Sequence, residues 1–137
     1  MFTGLIKEVG YIERIQPLGN GKEASIHCSN EFSTDSAIGD SISINGVCST
    51  IITKTATSFT VQFLEETLNK TTMGTIPETE KVNLEPCLTL QTKLGGHLVS
   101  GHVDDTGTIQ AIDNDGGWAI MTIIYDAKFA PFLIFDL

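Results

Sequence analysis

The chain has 137 residues, a hydrophobic content of 41% and a formal net charge of −9. That length suits one ordinary domain with a buried core, and the composition excludes a disordered chain. Eight Lys and Arg stand against 17 Asp and Glu with no basic run, which argues against nucleic acid as a partner.

Residues 5–15 carry apolar positions without helical period and with Gly10 among them, which predicts a strand with a bend or bulge. Residues 17–21 form a turn cluster, residues 24–28 a short strand, and residues 29–39 a polar connection in which Phe32 is a candidate anchor. Residues 41–50, Ser-Ile-Ser-Ile-Asn-Gly-Val-Cys-Ser-Thr, read as a hairpin turning at Asn45-Gly46, since both residues accept the positive φ of a type I′ turn. A two-residue turn sets Ile44 opposite Val47, Ser43 opposite Cys48, Ile42 opposite Ser49 and Ser41 opposite Thr50. Ser41, Ser43, Cys48 and Thr50 then share one face, and Ile42, Ile44, Val47 and Ser49 the other. Residues 58–64 alternate, with Phe59, Val61 and Phe63 on one side; residues 65–72 read as a short helix and residues 81–84 as a further strand. Short strands separated by turn signals describe an all-β barrel or sandwich.

Residues 2–15 align without a gap on residues 99–112: Gly4 meets Gly101, Gly10 meets Gly107, Ile12 meets Ile109 and Ile15 meets Ile112, each pair 97 apart. This spacing predicts a repeat of the same unit. By that offset Leu137 corresponds to Asp40, where the second hairpin would begin. Two full copies would need on the order of 190 residues, so the second unit is expected to be incomplete and the chain to be a truncated or partial form.

Cys28, Cys48 and Cys87 are odd in number and include no Cys-x-x-Cys pair, so neither a disulfide framework nor a metal site is expected. His97 and His102, five apart, fall on opposite faces of an extended strand. The first eight residues lack the pattern of a signal peptide, and the apolar residues 119–137 are broken by Asp126, Lys128 and Pro131. The expectation is a cytoplasmic protein with no membrane partner.

Four stretches occur in order: Met1-Phe-Thr-Gly-Leu-Ile, the Ser-Ile-Asn-Gly-Val-Cys hairpin, Glu66-Thr-Leu, and Gly95-Gly-His-Leu-Val-Ser-Gly-His-Val. Together they closely resemble the riboflavin synthase family of the α-type. The resemblance implies a six-stranded Greek-key β-barrel with one short helix at residues 1–96, followed at residues 97–137 by the opening strands of a second, repeated barrel. It implies a reaction without cofactors, in which two molecules of 6,7-dimethyl-8-ribityllumazine exchange a four-carbon unit. The products are riboflavin and 5-amino-6-(ribitylamino)uracil.

By the same resemblance Ser41, Cys48 and His102 are the catalytic candidates, with His102 suited to proton transfer by its ordinary pKa of about 6.5. Substrate contacts are implied for Phe2, Gly4, Leu5, Ile6, Cys48, Ser49 and Thr50, for Gln62, Phe63, Leu64, Glu65, Glu66 and Thr67, and for Gly101, His102 and Val103. Phe2 reads equally as a core aromatic or as a lid over a ring. Ser49 departs from the apolar residue usual there, and its register places it on the Ile face. No Lys, Arg or His lies within five residues of Cys48, so its thiol suits positioning or weak hydrogen bonding more than covalent attack. The family assembles as a trimer, and a dimer is the alternative for a shortened chain. Two other readings stand beside the enzyme: a non-catalytic lumazine- or flavin-binding module, and a structural barrel without ligand. The first of these would bind lumazine or riboflavin without turnover, the behaviour also expected of a chain lacking its second hairpin.

Overall fold

The computed structural model describes residues 1–133, and these divide into two compact units, Met1–Asp104 and a second that begins at Asp105. The first unit is a curled antiparallel sheet. Its strands are β1 (Glu8–Leu18), β2 (Gly21–His27), β3 (Ser41–Ile44), β4 (Val47–Thr50), the two-residue β5 (Thr53–Lys54), β6 (Ser58–Phe63) and β7 (Lys81–Pro86). They lie in the order β4-β3-β7-β1-β2-β6-β5, and the Ile52 amide donates to Thr60 O at 2.9 Å, curling the run after β4 back onto β6. Leaving β5 aside, these are the six strands expected of a barrel.

Alternation in each strand supplies the interior. Ile12, Ala24, Ile26, Ile42, Ile44, Val47, Phe59, Val61, Phe63, Val82 and Leu84 are all buried together, and Met73 packs among them from the 3₁₀ turn Thr72–Gly74. Burial of this kind stabilises at about 25 cal/mol per Å² of apolar surface. The β3–β4 register is the expected one, pair for pair. The Ile face, Ser49 included, is the buried one; Ser49 Oγ has no hydrogen-bond partner there.

Three local expectations need correction. Residues 29–39 are not merely a polar connection: they contain α1 (Asn30–Asp35), with Ser29 capping it by accepting from the Phe32 amide. Six residues are too few to show a helical period, which hid it. Pro17 and Leu18 belong to β1, and the turn is only Gly19-Asn20, with Gly19 at φ 58°. The irregularity in β1 lies between Ile12 and Arg14, not at Gly10. Gly10 is needed for closeness, since a Cβ there would sit 2.3 Å from His27 O.

The second unit is described by its own hairpin, β8 (Thr108–Asp115) and β9 (Trp118–Ile124), followed by the 3₁₀ turn Ala127–Phe132. Its register runs from Thr108↔Ile124 to Asp115↔Trp118, with an irregularity between Ile109 and Ala111. In β1–β2 the register runs from Tyr11↔His27 to Leu18↔Gly21, with its irregularity between Ile12 and Arg14. Each pair of the later hairpin is the earlier pair with 97 added to both numbers. The expected end of the second repeat, at Leu137, lies outside the described residues. No helix among the described residues is long and apolar enough to cross a membrane.

Candidate functional site

Three elements of the first unit converge on Cys48. The first is its own hairpin, whose turn has Asn45 at φ 50° and Gly46 at φ 86°. Asn45 is pinned to β7: its amide donates to Asn83 O at 2.9 Å, and its Oδ1 accepts from the Asn83 amide at 2.7 Å. Cys48 is half-buried on the face opposite the isoleucines.

The second element is α2 (Glu65–Lys70) with the residue after it. Glu66, Thr67, Lys70 and Thr71 fall one helical turn apart in pairs and line the cavity from one face. Lys70 Nζ donates to Glu66 Oε1 at 2.8 Å, and that bond draws the Glu66 carboxyl below its ordinary range. Thr71 Oγ1 donates to Thr67 O at 2.6 Å, fastening the end of the helix.

The third element is the segment 99–103. The Cys48 amide donates to Gly101 O at 2.9 Å, and Phe2 and Val99 exchange amide bonds of 2.8 and 3.1 Å. Gly101 stands at φ 76°, and a Cβ on it would lie 2.9 Å from the Cys48 Cβ and 3.1 Å from the Phe2 ring. Only glycine satisfies both the backbone angle and the approach. His102 follows it and is exposed, with its amide donating to Ser100 Oγ at 3.1 Å.

Between these elements lies a cavity of about 310 Å³ lined by Val47, Cys48, Glu66, Thr67, Lys70, Thr71 and residues Gly101 to Asp104. That volume is at the lower end for small-molecule sites. A second hollow of about 480 Å³ lies on the other side of Gly101–Val103, bounded by Phe2, Gly4, Ile6, Ser43, Gly46 and Glu85. Sulfur, hydroxyl, imidazole and backbone groups around the first cavity can bind a polar heterocycle, and the imidazole can accept or deliver a proton.

Among the residues singled out in the sequence, Cys48, Glu66, Thr67, Gly101, His102 and Val103 meet in the first cavity. Phe2, Gly4 and Ile6 border the second hollow, and Phe2 is buried as a core aromatic. Leu5 is exposed and lies beside Gly96. Ser41 borders neither hollow; its carbonyl accepts from the Cys87 amide at 3.1 Å. Ser49 points into the core and Thr50 to the outside. Gln62 donates to Glu23 on the outer surface at 3.1 Å, and Phe63 is a core residue. Leu64 caps α2 by its backbone conformation alone, and Glu65 accepts from Asn20 at 3.5 Å. Val47, Lys70, Thr71 and Asp104 also line the cavity, and none of them was assigned to the site from the sequence. Among the described residues no group of three or more His, Cys, Asp or Glu is placed to hold a metal ion.

A curled antiparallel sheet thus carries a small polar cavity where the hairpin, the short helix and the segment 99–103 meet. Comparison with known families gives its kind: residues 3–86 match the lumazine binding domain, and the chain belongs to that family. Curated relatives are riboflavin synthases. That of Bacillus subtilis (strain 168) is 38% identical over 97% of this chain and 60% of its own length. That of Mycobacterium bovis is 35% identical over 98% of this chain and 67% of its own. The chain thus spans about 60% of the length of the Bacillus relative. Among solved structures, LumP in complex with 6,7-dimethyl-8-(1'-D-ribityl)lumazine shares the fold with a TM-score of 0.83 at 20% identity, covering 93% of this chain and 70% of that one. LumP in complex with riboflavin aligns with a TM-score of 0.76 at 21% identity over 85% of this chain and 62% of that one.

Proposed function

We propose that the first unit holds one 6,7-dimethyl-8-ribityllumazine in the cavity at Cys48, and that the protein acts as a riboflavin synthase. The observation that carries this reading is the convergence of Cys48, Thr67 and Gly101–Val103 on one cavity in a chain of the lumazine-binding family. Two lumazines would react: the C7 methyl of one gives up a proton, the resulting carbanion attacks the other, and a four-carbon unit passes between them. Riboflavin and 5-amino-6-(ribitylamino)uracil together contain every atom of the two substrates. His102 is the proton acceptor at the cavity rim, and Cys48 positions the ring. Ser41 enters this reading through the family resemblance alone. Alignment of the two rings supplies much of the rate, as orientation does in bimolecular reactions generally.

The identical registers of the two hairpins support a tandem repeat, with residues 97–137 opening a second lumazine-binding barrel after a first at residues 1–96. A homo-oligomer, trimeric as in the family, would bring two lumazines together.

The likeness to LumP favours a second reading, a carrier that binds lumazine or flavin without chemistry. Loss of the C7-methyl proton separates the two readings, because it needs only one bound lumazine. In deuterium oxide, NMR should show the chain accelerating exchange of that methyl by about 100-fold, and His102→Gln should remove the acceleration. Binding without acceleration would identify a carrier, and no binding at all would refute both.

A further inference from the structure

We infer that Glu85 is a positioning residue for this cavity, clamping the Phe2–Gly4 segment so that it holds the Val99–His102 strap against Cys48. Glu85 lies in β7 and is 4% exposed. Its Oε1 accepts from the Thr3 amide and from Thr3 Oγ1, both at 2.6 Å, and its Oε2 accepts from the Gly4 amide at 3.0 Å. All three donors are neutral and all belong to one short segment. A buried carboxylate without donors is strongly disfavoured, and an apolar side chain would fill the same space at no such penalty. The carboxylate is therefore explained by what it holds.

That segment in turn holds the strap. Phe2 exchanges two amide bonds with Val99, and Thr3 O accepts from the His97 amide at 3.0 Å. The Phe2 ring lies against Gly101, whose carbonyl accepts from the Cys48 amide. The sheet repeats the connection. Glu85 is the cross-strand partner of Ser43 on one side, and Ser43 is the partner of Cys48 on the other. Glu85 and Cys48 thus stand in one row on one face of the sheet, two strands and roughly 10 Å apart. The strap crosses this row, tied at one end through the Glu85 clamp and at the other to Cys48, with His102 next along the chain.

The role rests on the proposed ligand reading, and riboflavin fluorescence quenching by the 137-residue chain tests both. Glu85→Gln replaces one acceptor oxygen by a donor facing an amide, and should weaken riboflavin binding by about 10-fold or more. Thr3→Val removes one of the three bonds and should weaken it by about 3-fold, while Thr3→Ser, which keeps the hydroxyl, should restore wild-type affinity. Hydrogen exchange should show protection lost at the Phe2 and Val99 amides of Glu85→Gln and retained in β2 and β6. Unchanged affinity in Glu85→Gln and Thr3→Val would overturn the clamp alone, provided the wild type binds. Protection lost throughout Glu85→Gln, with Thr3→Val indistinguishable from wild type, would reduce Glu85 to a fold-stabilising residue and overturn it likewise. A wild-type chain that leaves riboflavin unquenched overturns the ligand reading and the clamp's role in it together.

Discussion

The hairpins β1–β2 and β8–β9 have the same register, the same position of irregularity and a positive-φ glycine at the same place in the turn, Gly19 and Gly116. Their burial is opposite. Ile26 is 0% exposed, whereas Ile123, its counterpart 97 residues on, is 50% exposed. β1 is flanked by β7 and β2 by β6, but among the described residues β8 and β9 pair only with each other. Register is therefore a local property, written in the turn and the bulge. Burial is conferred by neighbours, and a two-stranded hairpin alone is marginal in water.

Core truncation should separate the two hairpins most. Ile26→Ala is expected to cost about 3 kcal/mol in denaturant unfolding, and Ile123→Ala less than about 1 kcal/mol; equal costs would break the comparison. A smaller effect follows from Cys28, whose counterpart Tyr125 is exposed. Burial, with Glu8 adding to it and Lys54 opposing it, pushes the Cys28 thiol from 9.0 up to about 11. The folded state then holds this proton more tightly than the unfolded chain. Its contribution is complete below pH 9 and is lost as pH rises towards 11, by roughly 2 kcal/mol. Across that window the unfolding free energy should fall more steeply in the wild type than in Cys28→Ala. The turns should differ least. Gly19 and Gly116 have φ of 58° and 52° with open space where a Cβ would go, so only backbone strain opposes alanine. Gly19→Ala and Gly116→Ala should each cost about 1 kcal/mol, the first read by unfolding and the second by hydrogen exchange within β8–β9. Unequal penalties would show that the turns are not equivalent.

What could be read from the sequence follows the same division. Asn45-Gly46 specifies a two-residue turn, so the β3–β4 pairing was legible, as was the match of Gly4 with Gly101, both at positive φ. α1 was missed because its six residues are too few to show a helical period; Ser29 three residues before Phe32, with Glu31 between them, was the available cap signal. At the cavity, the family window of residues 62–67 covers only half of the face that α2 presents. Adding one helical turn to Glu66 and Thr67 would have found Lys70 and Thr71. The row joining Glu85, Ser43 and Cys48 was not legible, because it depends on β3 pairing with β7 across a long stretch of intervening chain.

The clamp also bears on the order in which the chain becomes structured. Thr3 and Gly4 find their acceptor 82 and 81 residues later, and Phe2 finds its partner at Val99. Contacts so distant in sequence form only after a large loop is closed, which slows them relative to hairpins. During synthesis residues 2–4 cannot be fixed until Glu85 and Val99 have been made. The hairpins β1–β2 and β3–β4 can assemble while the chain is still emerging, and the cavity wall made by Gly101 and His102 can close only after them.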